Sequence, residues 1–376
     1  MLRVGSDFSG VGAFNQALKR LGVEYKEVFA CDMDKFARET FIHNYGEPEY
    51  YPTNVYDRAI PSESLDIYMT SPPCQAFSLA GKRLGKDDKR GILFFNSHEF
   101  IQVNKPRFFI FENVRGLLSD DGGKTFQEWV NMLGGKSVNG VPVLFRYDEA
   151  VPYHLYWQVL NAKNHGVPQN RERVFLIGIR DDVDNRFQFP REEHLTKRLK
   201  DVLEDEVSEE YFLKKKFDLK SSLDDASEVI QLNECKESGG NQPYQQNRVF
   251  DTNGISPAIL ANLGGDRNHN ILYNDKRLNQ TIQKHELPNG KPMMLDTYNQ
   301  SIHDECPTLK ARHAQNNDRK LWDGFRIRRL TPRECFRLMD FPDTFTWKVS
   351  DSQAYKQAGN SIVVNVLYKI LKQLPL

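Results

Sequence analysis

Two short runs, Arg107-Phe108-Phe109-Ile110-Phe111 and Val174-Phe175-Leu176-Ile177-Gly178-Ile179, are apolar on both of the faces a strand can present. A strand with one wet face alternates apolar and polar residues. One without alternation must be covered on both sides, as strands of parallel sheets between helices are. Met1–Gly5, Val28-Phe29-Ala30 and Leu65–Met69 read as further strands. Between the first two, Phe14, Ala17, Leu18 and Leu21 recur at helical spacing, and Gly22 ends that helix. Strands alternating with helices over roughly the first 180 residues predict an α/β sheet, mostly parallel, with helices on its faces.

The texture changes after about Pro190. Residues 191–225 are rich in Lys, Glu and Asp and read as a solvated connection with short helices. Residues 226–325 are polar, rich in Asn, Gln and Gly, and predict a smaller, irregular domain of loops and short strands. A weak echo runs through it. Val249–Leu260 resembles Met294–Tyr298 followed by Cys306–Lys310, suggesting two similar hairpins or loops. The tail 361–374 returns to helix, with Ile362, Val363, Val366, Leu367, Ile370, Leu371 and Leu374 on one face.

A chain of 376 residues can bury a sizeable core and suits two domains. It carries 51 basic and 51 acidic residues, so a polyanionic partner would need a local basic face. Five widely spaced cysteines argue against a disulfide framework and for a reducing, cytoplasmic setting. No apolar run is long enough for a bilayer, and the N-terminus lacks the pattern of a signal peptide.

Four constellations carry chemistry. In Ser71-Pro72-Pro73-Cys74-Gln75-Ala76-Phe77-Ser78 a thiol follows two prolines at the end of a strand. Proline cannot continue a sheet, so Cys74 leaves it at the carboxyl end, where open α/β sheets bind ligands. It reads as a rigidly mounted nucleophile, although a lone cysteine is more often an inert filler. In Asp7–Phe14, Gly10 and Gly12 allow a tight turn at a helix start. Asn15 stands where a dinucleotide fingerprint has its third glycine, which disfavours NAD and leaves a nucleoside cofactor open, with Asp32 spaced for ribose hydroxyls. Glu112, in Phe111-Glu112-Asn113-Val114, lies just past an apolar strand, where desolvation raises a carboxyl toward use as an acid. Arg171 and Arg173 would share one face of a strand start and suit an anionic or carbonyl ligand, or keep an edge soluble. Five arginines between Arg326 and Arg337 read as a phosphate-gripping patch or as a solvated helix face, with Thr331, Pro332 and Glu334 forming a helix start.

In their order these blocks, closed by Gln357-Ala358-Gly359-Asn360-Ser361, resemble the DNA cytosine-5 methyltransferase family. The resemblance covers residues 1–180 and 325–376. It implies a Rossmann-like S-adenosylmethionine-dependent domain over 1–190, completed by 350–376, and a target-recognition domain over 191–349. It implies that Cys74 attacks carbon 6 of a flipped-out cytosine, that Glu112 acts at N3, that Arg173 holds the base and that Arg171 buttresses the cysteine loop. S-adenosylmethionine would sit on Phe8, Gly10, Gly12, Asp32, Met33, Asn54, Val55, Pro73, Asn360 and Ser361. Double-stranded DNA would meet Ser78, Lys82, Arg90, Gln245, Arg248 and Thr308. No metal is implied. A bacterial or phage stand-alone monomer is expected, any cognate restriction endonuclease acting independently. Asn54 departs from the acidic residue usual at that place, which implies weaker cofactor binding. The nearest alternative is a tRNA methyltransferase of the same fold, followed by an idle DNA-binding scaffold and an NAD-type oxidoreductase.

Overall fold

The structure, a computed structural model, describes residues 1–73, 92–213, 228–233, 243–244, 247–261, 269–273, 293–296, 301–303, 319–322 and 326–376. In chain order its first elements are β1 (Leu2–Asp7), α1 (Ala13–Leu21), β2 (Tyr25–Cys31), α2 (Lys35–Tyr45), β3 (Ile67–Thr70), α3 (Ile92–Asn104), β4 (Phe108–Val114) and α4 (Lys124–Leu133). There follow β5 (Ser137–Val138), β6 (Val141–Pro142), β7 (Tyr153–Asn161), β8 (Gln169–Asn170) and β9 (Glu172–Arg180). Eight strands make one sheet in the order β2-β1-β3-β4-β9-β7-β5-β6. The β2-β1-β3-β4 half is parallel, and β5 runs parallel to β7. β9 enters antiparallel between β4 and β7. The sheet is therefore mostly parallel by neighbour pairs. The run at 174–179 belongs to an inserted antiparallel strand, and it is apolar because that strand is central.

The two faces hold separate apolar layers. Val4, Ile67, Phe108, Ile110, Phe175 and Ile177 pack under α1 and the C-terminal segment. Phe29, Tyr68, Phe109 and Phe111 pack with Phe94, Phe100, Trp129 and Leu133 of α3 and α4. Gly22 caps α1 with φ 73°, as its position predicts. Strand β1 lies between β2 and β3, so successive connections leave it in opposite directions. That switch opens a crevice above the carboxyl ends of β1 and β3.

Beyond residue 190 come β10 (Val249–Phe250), β11 (Ser256–Pro257), β12 (Asn270–Tyr273), β13 (Met293–Asp296), β14 (Ser301–His303), β15 (Arg319–Trp322) and β16 (Arg326–Arg329). They form small sheets, β10-β12-β16 and β14-β13-β15, while β11 pairs with β8. Of the second echoed segment, only the part within β13 is described; Cys306–Lys310 lies outside the described residues. β13 and β14 pair antiparallel as a hairpin. The first copy is no hairpin, because β10 joins β12 and β11 joins β8. Three helices close the chain: α5 (Pro332–Leu338), α6 (Asp351–Asn360) and α7 (Val364–Leu371). Thr331 caps α5 in a capping box with Glu334, with Pro332 in the first turn. The seven apolar tail residues, and Leu330, Phe336, Phe341 and Phe345 before them, join the same core as β1 and α1.

Candidate active site

Glu112 is placed by register. It shares a face of β4 with Phe108 and Ile110, while Arg173 shares a face of β9 with Phe175 and Ile177, all in one core. Glu112 therefore lies inside β4, opposite Phe175, on the same face as the Val114–Arg173 pair that follows along the ladder. Arg173 Nε stands 3.0 Å from Glu112 Oε1. Burial pushes the Glu112 carboxyl up, while the positive fields of Arg173 and Arg171 and the hydrogen bond from Arg173 oppose it. The net direction is upward, as an acid acting near neutral pH requires.

Asn113 points to the opposite face and donates through Nδ2 to Pro72 O at 2.9 Å. It fixes the Ser71-Pro72-Pro73 turn at the end of β3. Thr70, paired with Phe111, shares a 2.9 Å hydrogen bond with Ser97 of α3. The neighbour of the expected acid thus holds the chain that carries the expected nucleophile. Cys74 itself lies outside the described residues, as do Ser78, Lys82, Arg90, Gln245 and Thr308.

The cysteine loop that Arg171 is expected to buttress lies outside the described residues. The Arg171 guanidinium is buried, and its contacts run to the C-terminal segment and residue 259. Nη1 donates to Ile259 O at 2.6 Å; Nη2 donates to Gly359 O at 2.9 Å and Ser361 O at 2.8 Å. Burial and the neighbouring Arg173 pull its pKa down to about 9, Glu112 opposing, so it stays charged at neutral pH. Among the described residues it stitches α6 and the β11 strand end to the active-site sheet. Gln169 joins in, donating to Leu338 O at 2.7 Å and accepting from Ile259 N at 3.1 Å.

The crevice above β1 is built from backbone. Phe8, Gly10 and Gly12 have φ of 57°, 54° and 85°. A Cβ on Gly12 would lie 2.3 Å from the Tyr45 ring, whereas at Gly10 it would meet nothing within 4 Å. The turn thus leaves open space where a ligand can approach the main chain. Asp32, just after β2, accepts from Gly10 N through Oδ2 and from Asp34 N through Oδ1, each at 2.8 Å. Burial raises its carboxyl while these two N–H groups hold it down, and both oxygens keep lone pairs for hydroxyls. Met33 is 86% exposed beside it. Val55 is buried and Pro73 exposed. Asn54 closes its own turn, accepting from Tyr56 N at 3.1 Å and donating to Asp57 at 3.2 Å. Lys356 of α6 reaches Asp34, the N-cap of α2, at 2.6 Å, one turn before exposed Asn360 and buried Ser361. An open turn, a ribose-spaced carboxylate and flanking apolar groups fit an adenosyl ligand.

The arginine-rich block is largely structural. Arg328 and Glu334 form a fully buried ion pair at 2.6 Å. Arg329 donates to Glu210 O, Arg333 to Phe345 O, and Arg337 pairs with Asp343. Four of the five arginines are engaged within the chain; the side chain of Arg326 is outside the description. Arg248 donates to Pro243 O at 3.2 Å and lies near buried His269, whose pKa burial, then Arg248, lowers to about 4. Beside the end of β4 opens a polar cleft of about 480 Å³, lined in part by Arg115, Asn161, Lys163, Asn170 and Glu172. Nothing in the sequence singled out Asn113 as the anchor of the proline turn, because its partner is a backbone carbonyl.

The profile of the family described as C-5 cytosine-specific DNA methylase matches residues 2–375. The orphan methyltransferase M.SPRI of Bacillus phage SPR is 32% identical, the alignment spanning 99% of this chain and 97% of that protein. The type II methyltransferase M.HhaI of Haemophilus parahaemolyticus is 31% identical over 96% of this chain and 91% of its own. Among solved structures, a mutant of Spodoptera frugiperda DNMT2 superposes with a TM-score of 0.64 at 18% identity, covering 99% of each chain. The S. pombe Dnmt2 methyltransferase gives 0.59 at 17% identity, over 99% of this chain and 97% of that one. These two support the fold alone. With a profile match across nearly the whole chain and relatives above 30% identity, the chain belongs to the DNA (cytosine-5-)-methyltransferase family, of the bacterial and phage restriction-modification type.

Proposed function

We propose that the enzyme methylates carbon 5 of a cytosine flipped out of double-stranded DNA at a short specific sequence, through a covalent bond between Cys74 and carbon 6. The observation that carries this reading is the Glu112–Arg173 pair, 3.0 Å apart, beside the Asn113–Pro72 bond that anchors the prolines preceding Cys74 in the sequence. Carbon 5 of cytosine is a poor nucleophile, and thiolate addition at carbon 6 turns the ring into an enamine. Negative charge then builds toward N3. A neutral Glu112 donates its proton there, and Arg173 binds the ring carbonyl oxygen, so both act on one edge of the base. S-adenosylmethionine, when bound against the Phe8–Gly12 turn with Asp32 at its ribose, supplies the methyl group. Loss of the carbon 5 proton to a base and return of the N3 proton to Glu112 restore the ring, and the carbon–sulfur bond breaks to return the thiolate. Carbon 6 is inaccessible inside a stacked duplex, which is why the base must leave the helix.

Residues within 191–349 would read the duplex, with Gln245, Arg248 and Thr308 as proposed DNA contacts beside Ser78, Lys82 and Arg90 from the cysteine segment. The protein would act as a monomer in a reducing cytoplasm that keeps Cys74 a thiol, any cognate endonuclease being a separate protein. A duplex carrying 5-fluorocytosine tests the covalent step, because fluorine cannot leave carbon 5 as a proton would. A denaturation-resistant protein–DNA complex that forms with S-adenosylmethionine, and is absent for Cys74→Ser, is expected. No such complex with the wild-type protein on a substrate it methylates would contradict the adduct.

A further inference from the structure

Asp7 is the last residue of β1 and the residue before Phe8, the first left-handed position of the open turn. Its side chain is wholly buried, with an ion-pair partner at one carboxylate oxygen and a hydrogen-bond donor at the other. Arg58 Nε lies 2.9 Å from Oδ1, and Tyr68 of β3 donates its hydroxyl to Oδ2 at 2.5 Å. Arg58 is itself only 2% exposed at the side chain. Its guanidinium sits 4.5 Å from the Phe100 ring and 5.6 Å from the Phe29 ring, and Nη2 reaches Asn96 O of α3 at 3.4 Å. It directly follows the Asn54–Asp57 turn, three residues after buried Val55.

A buried ion pair is a poor device for stability alone. Desolvation offsets most of its Coulomb gain, and apolar residues of similar volume usually do as well or better. The neighbours here, Phe29, Leu65, Phe100 and Val55, would pack well against apolar side chains. What the pair adds is direction. A planar guanidinium lodged beside two rings and ion-paired to a carboxylate has few orientations open to it, and Tyr68 fixes that carboxylate at its other oxygen. We propose that Arg58, acting through Asp7, is a positioning residue that sets the Asn54–Val55 stretch against the Phe8–Gly12 turn, so that both halves of the donor's binding cradle have one spacing. The role rests on the reading that the crevice binds S-adenosylmethionine. Neither residue touches the reacting atoms. The pair therefore controls affinity for the donor and leaves the chemical step alone.

The test is calorimetric titration of the full-length protein with S-adenosylhomocysteine, alongside thermal melting, for wild type, Arg58→Lys, Arg58→Met and the double variant Asp7→Asn with Arg58→Met. Binding is expected to weaken about tenfold or more in Arg58→Met, with a smaller loss in Arg58→Lys. At saturating donor, kcat and the KM for DNA should stay within about twofold of wild type. The double variant removes both buried charges and should regain melting temperature without regaining affinity. Should Arg58→Met not fold, Arg58→Lys, which keeps the cation but not the planar fork, supplies the comparison. Folded variants that bind like wild type, or a double variant whose affinity returns with its melting temperature, would overturn the positioning role. A wild-type protein that does not bind the probe would overturn the donor-site reading, and the pair's role with it.

Discussion

Gly359 shows how much a single atom can decide. It stands near the end of α6, where alanine would ordinarily favour the helix by about 1 kcal/mol. A Cβ there would lie 2.2 Å from the carbonyl carbon of Leu260 and 2.3 Å from Ala261 N, both backbone atoms that cannot swing aside. The glycine lets residues 259–261 pass against α6, where Arg171 collects the carbonyls of Ile259, Gly359 and Ser361. Gly359→Ala is expected to destabilise the protein by about 2 kcal/mol despite the better helix former, as overpacking does. Urea denaturation measures this directly; a variant as stable as wild type, or more so, would contradict the close approach.

Strand β2 carries a pH-dependent element. Glu27 pairs with Val4 of β1, and Asn15 of α1 donates to its carboxyl through a short hydrogen bond. The residue is half-buried, but its Oε1 is shut away from solvent. Burial raises its pKa to about 8, with Asn15 and Ser6 opposing. The folded chain therefore favours the protonated acid. The stability this contributes is complete below the ordinary glutamate range and is lost as pH rises through about 8. Over that window the effect is on the order of a few kcal/mol, at about 1.4 kcal/mol per unit. Glu27→Gln should flatten the decline and make the protein more stable than wild type at pH 8–9. Parallel denaturation curves at pH 5 and pH 9 decide it: an unchanged slope between wild type and variant would remove Glu27 as the cause. Glu27 gave no signal in the sequence, since a lone charge in a strand start reads as an edge facing solvent.

At the scale of the molecule, the chain's two ends make one core. Strand β4 was legible from an unbroken apolar run, and α1, the Thr331 helix start and the tail helix from periodicity and caps, because each signal is local. The sheet's antiparallel half was not. An all-apolar run such as Val174–Ile179 reports burial on two faces and says nothing of strand direction. The arginine-rich block read as a phosphate grip or a solvated helix face, and Arg328 fits neither: it pairs with buried Glu334 six residues away, a contact fixed by tertiary packing. Arg171 likewise bonds Gly359 and Ser361 of the C-terminal segment, contacts that spacing along the chain does not reveal. Glu112 and Arg173, by contrast, were legible as candidates, and the register of β4 with β9 brings them together.

The central proposal is that this protein methylates cytosine in duplex DNA using Cys74. Bisulfite sequencing of plasmid DNA from cells expressing the protein, beside cells expressing Cys74→Ser, tests it most directly. The expected result is a set of protected cytosines confined to one short sequence context, absent with the variant. Soluble wild-type protein that binds S-adenosylmethionine yet protects no cytosine anywhere in the plasmid would contradict the claim and point to RNA as the substrate.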